Sequence, residues 1–144
     1  MAVSSTHVLV HGMTSKYPLI ILANLAKQAE GGDKEAKRSL KSVSEHDFSV
    51  AIREFAENHG WRVWYQKVTG HLTQDGRWRA MAPSGEPDLR MARRWIDHSQ
   101  ILFVELKTEI GKLSDSQIDA LDVLGEFARV WRPRDAHLVL QELE

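Results

Sequence analysis

The sequence predicts an α/β domain, a mixed central β-sheet flanked by helices and preceded by a helical arm. Three observations carry this. Apolar residues recur at helical spacing in several segments bounded by capping residues. Short runs rich in β-branched, aromatic and aliphatic residues lie between them. The order along the chain is helix, three strands, helix, strand, helix, which buries a sheet against helices. At 144 residues the chain suits one compact core.

Taken in order, the first 15 residues show no period and are expected to be partly disordered. Pro18 to Glu30 reads as a helix, with Leu19, Leu22, Leu25 and Ala26 on one face and proline at its start. Gly31 and Gly32 end it, and Asp33 caps a short helix through Leu40. Residues 1–43 thus form the arm, and residues 44–144 the main domain. Ser44 begins a stronger helix, with Phe48, Ala51, Ile52, Phe55 and Ala56 as its stripe and Gly60 as its end. Trp61 to Val68 alternates as a strand, and Thr69 to Glu86 reads as a long polar loop. Pro87 to Met91 and Ile101 to Lys107 are the next strands. Ser114 caps a helix from Asp115 to about Phe127, with Ile118, Leu121, Val123 and Leu124 as its stripe. Ala128 to Trp131 is a strand stopped by Pro133, and Asp135 caps a last helix ending at Glu144.

Composition narrows the chemistry. There is no cysteine, which excludes disulfides, a cysteine nucleophile, thiolate zinc sites and iron–sulfur clusters, and fits a reducing cytoplasm. None of the seven histidines has zinc-ligand spacing. No leader of a basic region followed by an apolar one is apparent. The longest early apolar run, Leu19 to Ala23, is too short to span a bilayer, so a cytoplasmic protein without a membrane partner is expected. The net charge is −1, yet seven Lys/Arg against three Asp/Glu fall between Trp61 and Arg94. A basic middle on a neutral chain is the pattern of a phosphate-binding surface or of a solvated arginine-rich loop.

The central pattern is Asp88 followed by Glu105-Leu106-Lys107. In a strand, Glu105 and Lys107 project from one face, and Val104 and Leu106 from the other, into the core. Asp88 stands near the start of the preceding strand, so neighbouring strands would bring it to Glu105. Two close carboxylates repel unless a cation lies between them, and hard oxygen ligands suit Mg²⁺, with Mn²⁺ as a substitute. A lysine beside such a pair can position water or steady developing negative charge. Taken alone, Glu-x-Lys is also what a salt-bridged strand end looks like.

Gly85-Glu86-Pro87-Asp88 followed by Phe103-Val104-Glu105-Leu106-Lys107 resembles the signature of the PD-(D/E)XK nuclease superfamily, and in particular its VRR-NUC branch. The likeness extends to a helix beginning Ser44-Glu45 and ending Gly60-Trp61, to Gln117 through Leu121, and to Val130-Trp131-Arg132-Pro133. It covers Ser44 to about Leu143. It implies a restriction endonuclease-like core and a Mg²⁺-dependent endonuclease cutting DNA phosphodiester bonds. It implies that Glu45, Asp88 and Glu105 hold the metal with the Leu106 carbonyl, that Lys107 is the catalytic lysine, and that Gln117 orients it or the water.

Several residues outside that set could touch DNA. Arg77, Trp78 and Arg79 interleave cation and aromatic; Arg93, Arg94 and Lys112 could meet phosphates. The small size favours recognition of DNA shape, with branched DNA and a Holliday junction resolvase-like activity as the leading expectation. A flap or restriction-type nuclease, or a non-catalytic DNA-binding subunit, are the alternatives. Two symmetric cuts call for a homodimer, for which the apolar face of Pro18 to Glu30 and the last helix, with Leu138 and Leu140, are the surfaces on offer.

Overall fold

The computed structural model describes residues 15–65, 70–80 and 85–144. The expectation for the chain start therefore lies, apart from Ser15, outside the described residues. The elements are α1 (Leu19–Glu30), α2 (Lys34–Lys41), α3 (Glu45–Asn58), β1 (Arg62–Tyr65), β2 (Gly70–Leu72), β3 (Trp78–Ala80), β4 (Leu89–Arg94), β5 (Ser99–Leu106), α4 (Asp115–Leu124), β6 (Ala128–Trp131) and α5 (Ala136–Leu143). The architecture is α/β, with a four-stranded mixed sheet in the order β1-β4-β5-β6. β1, β4 and β5 are antiparallel neighbours, and β6 runs parallel to β5.

The helix starts follow from local chemistry. Asp33 accepts hydrogen bonds from the backbone N–H groups of Glu35 and Ala36, and Ser44 from that of Asp47. Gly60 sits at φ +83, the left-handed turn that lets the chain leave α3 for β1.

The sheet has two unlike faces. Leu89, Met91, Leu102, Val104 and Leu106 are buried on one, against Phe48, Ile52, Val139 and Leu143. Arg90, Ala92, Ile101, Phe103 and Glu105 alternate with them and point to the other.

α1 and α2, read from sequence as an arm, belong to the same core. Leu19, Leu22, Ala23, Ala26, Ala36 and Leu40 are buried within it, because their apolar faces meet α5 and the segment before it. The α1 face offered for a dimer is thus covered within the chain. On α5, Leu140 packs on the core while Leu138 stays 55% exposed.

Two further expectations differ from the structure. The loop from Thr69 to Glu86 contains a small hairpin, β2 paired with β3. Its turn is built by Thr73, whose hydroxyl bonds Asp75 and the Arg77 backbone, and by Gly76 at φ +78. Residues 81–84 of that loop, and 66–69 of the strand expected through Val68, lie outside the described residues. The α4 stripe is not buried: Ile118 and Val123 are exposed and Leu121 and Leu124 half-buried, since α4 lies over the open face near β6.

Candidate active site

The register of β4 on β5 creates the site. Leu89 pairs with Val104, so one residue earlier Asp88 stands opposite Glu105. The Asp88 carboxylate accepts a hydrogen bond from the Leu106 backbone N–H at 2.7 Å, which fixes it at the strand's end. Glu105 is only 3% exposed. Its Oε1 accepts a 2.7 Å hydrogen bond from Gln117 Nε2 and lies 3.8 Å from Lys107 Nζ.

Gln117 performs two tasks with one amide. Its Oε1 accepts from the Ser114 backbone N–H at 2.9 Å, completing a capping box at the start of α4, while its Nε2 holds Glu105. The helix start and the carboxylate are therefore positioned by the same side chain. Gly85 brings this helix close. At φ +83 it packs on the first turn of α4, where a Cβ would lie 2.5 Å from the Ser116 carbonyl oxygen. Gly111 likewise leaves room for the Lys107 stem, whose Cδ would lie 3.4 Å from an added Cβ.

The electrostatics set two carboxyl groups against each other. Burial, followed by the negative charge of Asp88 and a hydrogen bond with it, pushes the Glu105 carboxyl up from 4.5 to about 8. Lys107 offsets part of this, and Glu45 adds repulsion. Glu45, on the first turn of α3, is thus close enough to act on Glu105, yet it is exposed. Among the described residues no three or more Asp, Glu, His or Cys side chains are grouped to hold a metal. A cation there would take its protein carboxylates from the Asp88/Glu105 pair. This fits Mg²⁺, which usually takes one or two protein carboxylates and fills its other positions with water and phosphate oxygens. The Leu106 carbonyl is the next along the strand after that of Glu105, and the Leu106 N–H is the one that Asp88 holds.

Two arginines set the loop after β5. Arg132 donates to the Thr108 and Gly111 carbonyls at 2.7 and 2.6 Å. Arg134 pairs with Glu109 at 3.3 Å. Val130-Trp131-Arg132-Pro133 was the signal for this clamp: Trp131 is core, and Arg132 reaches across to the turn that follows Lys107.

The expected DNA contacts divide. Arg77 and Arg79 are exposed around the β2–β3 hairpin, with Arg77 3.6 Å from Asp75. Trp78 lies in β3, and its side chain is outside the described part of the structure. Arg94 and Lys112 are exposed. Arg93 is a correction. It lies within β4, and its guanidinium sits between the Trp61 and Trp95 rings, 4.6 and 4.3 Å from their centroids. It donates to the carbonyls of His59, Leu143 and Glu144. Its parity in β4 turns it toward the helix ends, where it closes the C-terminal end of α5 instead of meeting a phosphate.

Among the described residues no helix is long and apolar enough to cross a membrane. No protein-family model, curated protein or solved structure matches this chain, so the site is read on its own geometry.

Proposed function

We propose that the chain is a Mg²⁺-dependent DNA endonuclease of the PD-(D/E)XK type, with a VRR-NUC-like, restriction endonuclease-like core. The observation that carries this is the buried Glu105 carboxylate, set against Asp88 and held by Gln117 and Lys107. A salt-bridged strand end needs neither the second carboxylate nor the amide. The four-stranded mixed sheet flanked by helices is compatible with such a core.

In this reading Asp88 and Glu105 hold the metal with the Leu106 carbonyl, while Glu45 adds negative charge at the rim. Bound there, Mg²⁺ or Mn²⁺ supplies a polarised phosphoryl oxygen and a more acidic water. Lys107 is the cation already on the protein. It steadies charge on the phosphate oxygens as water attacks phosphorus and the bond to the leaving sugar oxygen breaks. Gln117 is a positioning residue that keeps Glu105 aimed at the site.

Branched DNA is the leading substrate, with a junction resolvase-like action. Two symmetric cuts require two such sites and hence a homodimer. With α1 buried in its own core, the exposed Leu138 on α5 and the exposed apolar residues Ile118, Val123 and Phe127 are surfaces open to it. The test is cleavage of a labelled panel (four-way junction, flap, fork, single strand and linear duplex), each with Mg²⁺, Mn²⁺ and EDTA. Paired cuts on opposing junction strands, lost in EDTA, are expected. No cleavage of any DNA with either metal would reject the nuclease reading. Preference for flaps or linear duplex would reject the resolvase alone.

A further inference from the structure

The open face of the sheet carries a second feature that the motif does not explain. Beside the carboxylates lies a groove of about 400 Å³ lined by Trp64, Arg90, Met91, Ala92, Ile101 and Phe103. Trp64 is 49% and Ile101 44% exposed, although both sit in strands of the central sheet. Exposed apolar surface on a sheet face, rimmed by charge, is the mark of a surface that binds something.

The groove lies one side-chain repeat along β5 from the candidate site. Phe103 precedes Glu105 by two residues in β5, so their side chains leave the same face about 7 Å apart. Trp64 is brought to this row because Arg90 pairs with Trp64 on one side and Phe103 on the other.

The rim is basic. Arg62 and Arg94 are exposed at the same end of the sheet, and among the described residues neither makes an ion pair. Arg90 is half-exposed and bonded to Glu86 at 2.9 Å. An aromatic wall with an apolar floor takes the flat face of a base, and arginines take the phosphates flanking it. A base paired within a duplex has no free face to offer such a groove.

We propose that the Trp64–Phe103 groove seats an unpaired base next to the scissile phosphate, so that the substrate is DNA with a single-stranded stretch at the cut. This rests on the nuclease reading of the neighbouring carboxylates, adds a subsite to it, and among branched DNAs favours a flap or fork over a fully paired four-way junction.

The test is binding of a fluorescein-labelled oligothymidylate and of a mixed-sequence duplex, followed by anisotropy. Ca²⁺ replaces Mg²⁺ so that no cutting occurs. Base stacking on an aromatic is worth about 1–3 kcal/mol, so Trp64→Ala should weaken oligothymidylate binding roughly 5- to 150-fold. Duplex binding should change little, and Trp64→Phe should restore most of the loss. Equal weakening on both DNAs, or none on either, overturns the subsite. So does a wild-type dimer that Trp64→Ala splits without loss of oligothymidylate affinity, since a second copy would then fill the groove. If wild type cuts DNA while Trp64→Ala binds normally, only the subsite fails. If wild type neither binds nor cuts, the nuclease reading fails and the subsite with it.

Discussion

Arg93 offers the sharpest test of structure against sequence, because the two give it different work. Replace it with alanine. The variant loses donation to the His59, Leu143 and Glu144 carbonyls at 3.2, 3.0 and 2.9 Å, and two ring contacts. A single Nη1 has only two hydrogens, so about two full charge-assisted bonds are at stake. Each is worth about 1.5–3 kcal/mol when buried and less at a half-exposed site. Each cation–π contact adds about 0.5–1 kcal/mol there. A net loss of roughly 2–4 kcal/mol is expected, within the range of single mutations that break a network. Arg93→Lys keeps the charge but not the flat fork between two indoles, and should recover less than half. Urea denaturation read by tryptophan fluorescence gives these values directly, with binding to a labelled duplex at several salt concentrations measured alongside. A stable Arg93→Ala protein whose salt slope falls by about 1 would refute the structural role and return Arg93 to phosphate binding.

Cleavage should require Mg²⁺ or Mn²⁺. Asp88→Ala, Glu105→Ala and Lys107→Ala should each abolish it while binding to labelled DNA persists; normal turnover by Lys107→Ala would remove that residue from the mechanism. Stability should depend on pH through Glu105. Between 4.5 and about 8 the folded metal-free protein keeps a proton that the unfolded chain has released. That stabilisation is therefore full below 4.5 and is lost as pH rises to about 8, at about 1.4 kcal/mol for each pH unit. Glu54, also raised by burial, slopes the same way, so the comparison with Glu105→Gln isolates the effect; equal pH slopes in the two proteins would contradict it. Mg²⁺ should raise the melting temperature more at pH 8 than at pH 5. Gly85→Ala should cut the turnover number by pushing α4 and Gln117 off Glu105. Gly76→Ala, at φ +78 with nothing within 4 Å, carries similar backbone strain and should keep full activity.

The pairing of Asp88 with Glu105 was legible because strand alternation fixes which side chains share a face, and Glu105-Leu106-Lys107 states that alternation outright. Gln117 was legible from the motif, but its second bond was not, since a capping box is local and the reach to Glu105 depends on how α4 docks. The β2–β3 hairpin was hidden by its three-residue strands, too short to show a period, although Asp75-Gly76 marked its turn. Arg93 was misread because its neighbours, the last carbonyls of α5, lie fifty residues away in sequence. The groove escaped notice because Trp64, Ile101 and Phe103 read equally well as core residues of their strands. Only the position of the helices reveals that, among the described residues, none of them covers this part of the sheet.

The contact of α1 with α5 has a consequence for synthesis. Leu19, Leu22 and Ala26 are made well before Val139 and Leu143, with which they share the core. Chains made from the N-terminus must keep such distant partners waiting. The β4–β5 hairpin and α4, with both carboxylates, the lysine and the glutamine, emerge before that core can close. The side chains of the candidate site are therefore made before the α1–α5 contact can form, and that part of the core can close only after α5 has been translated.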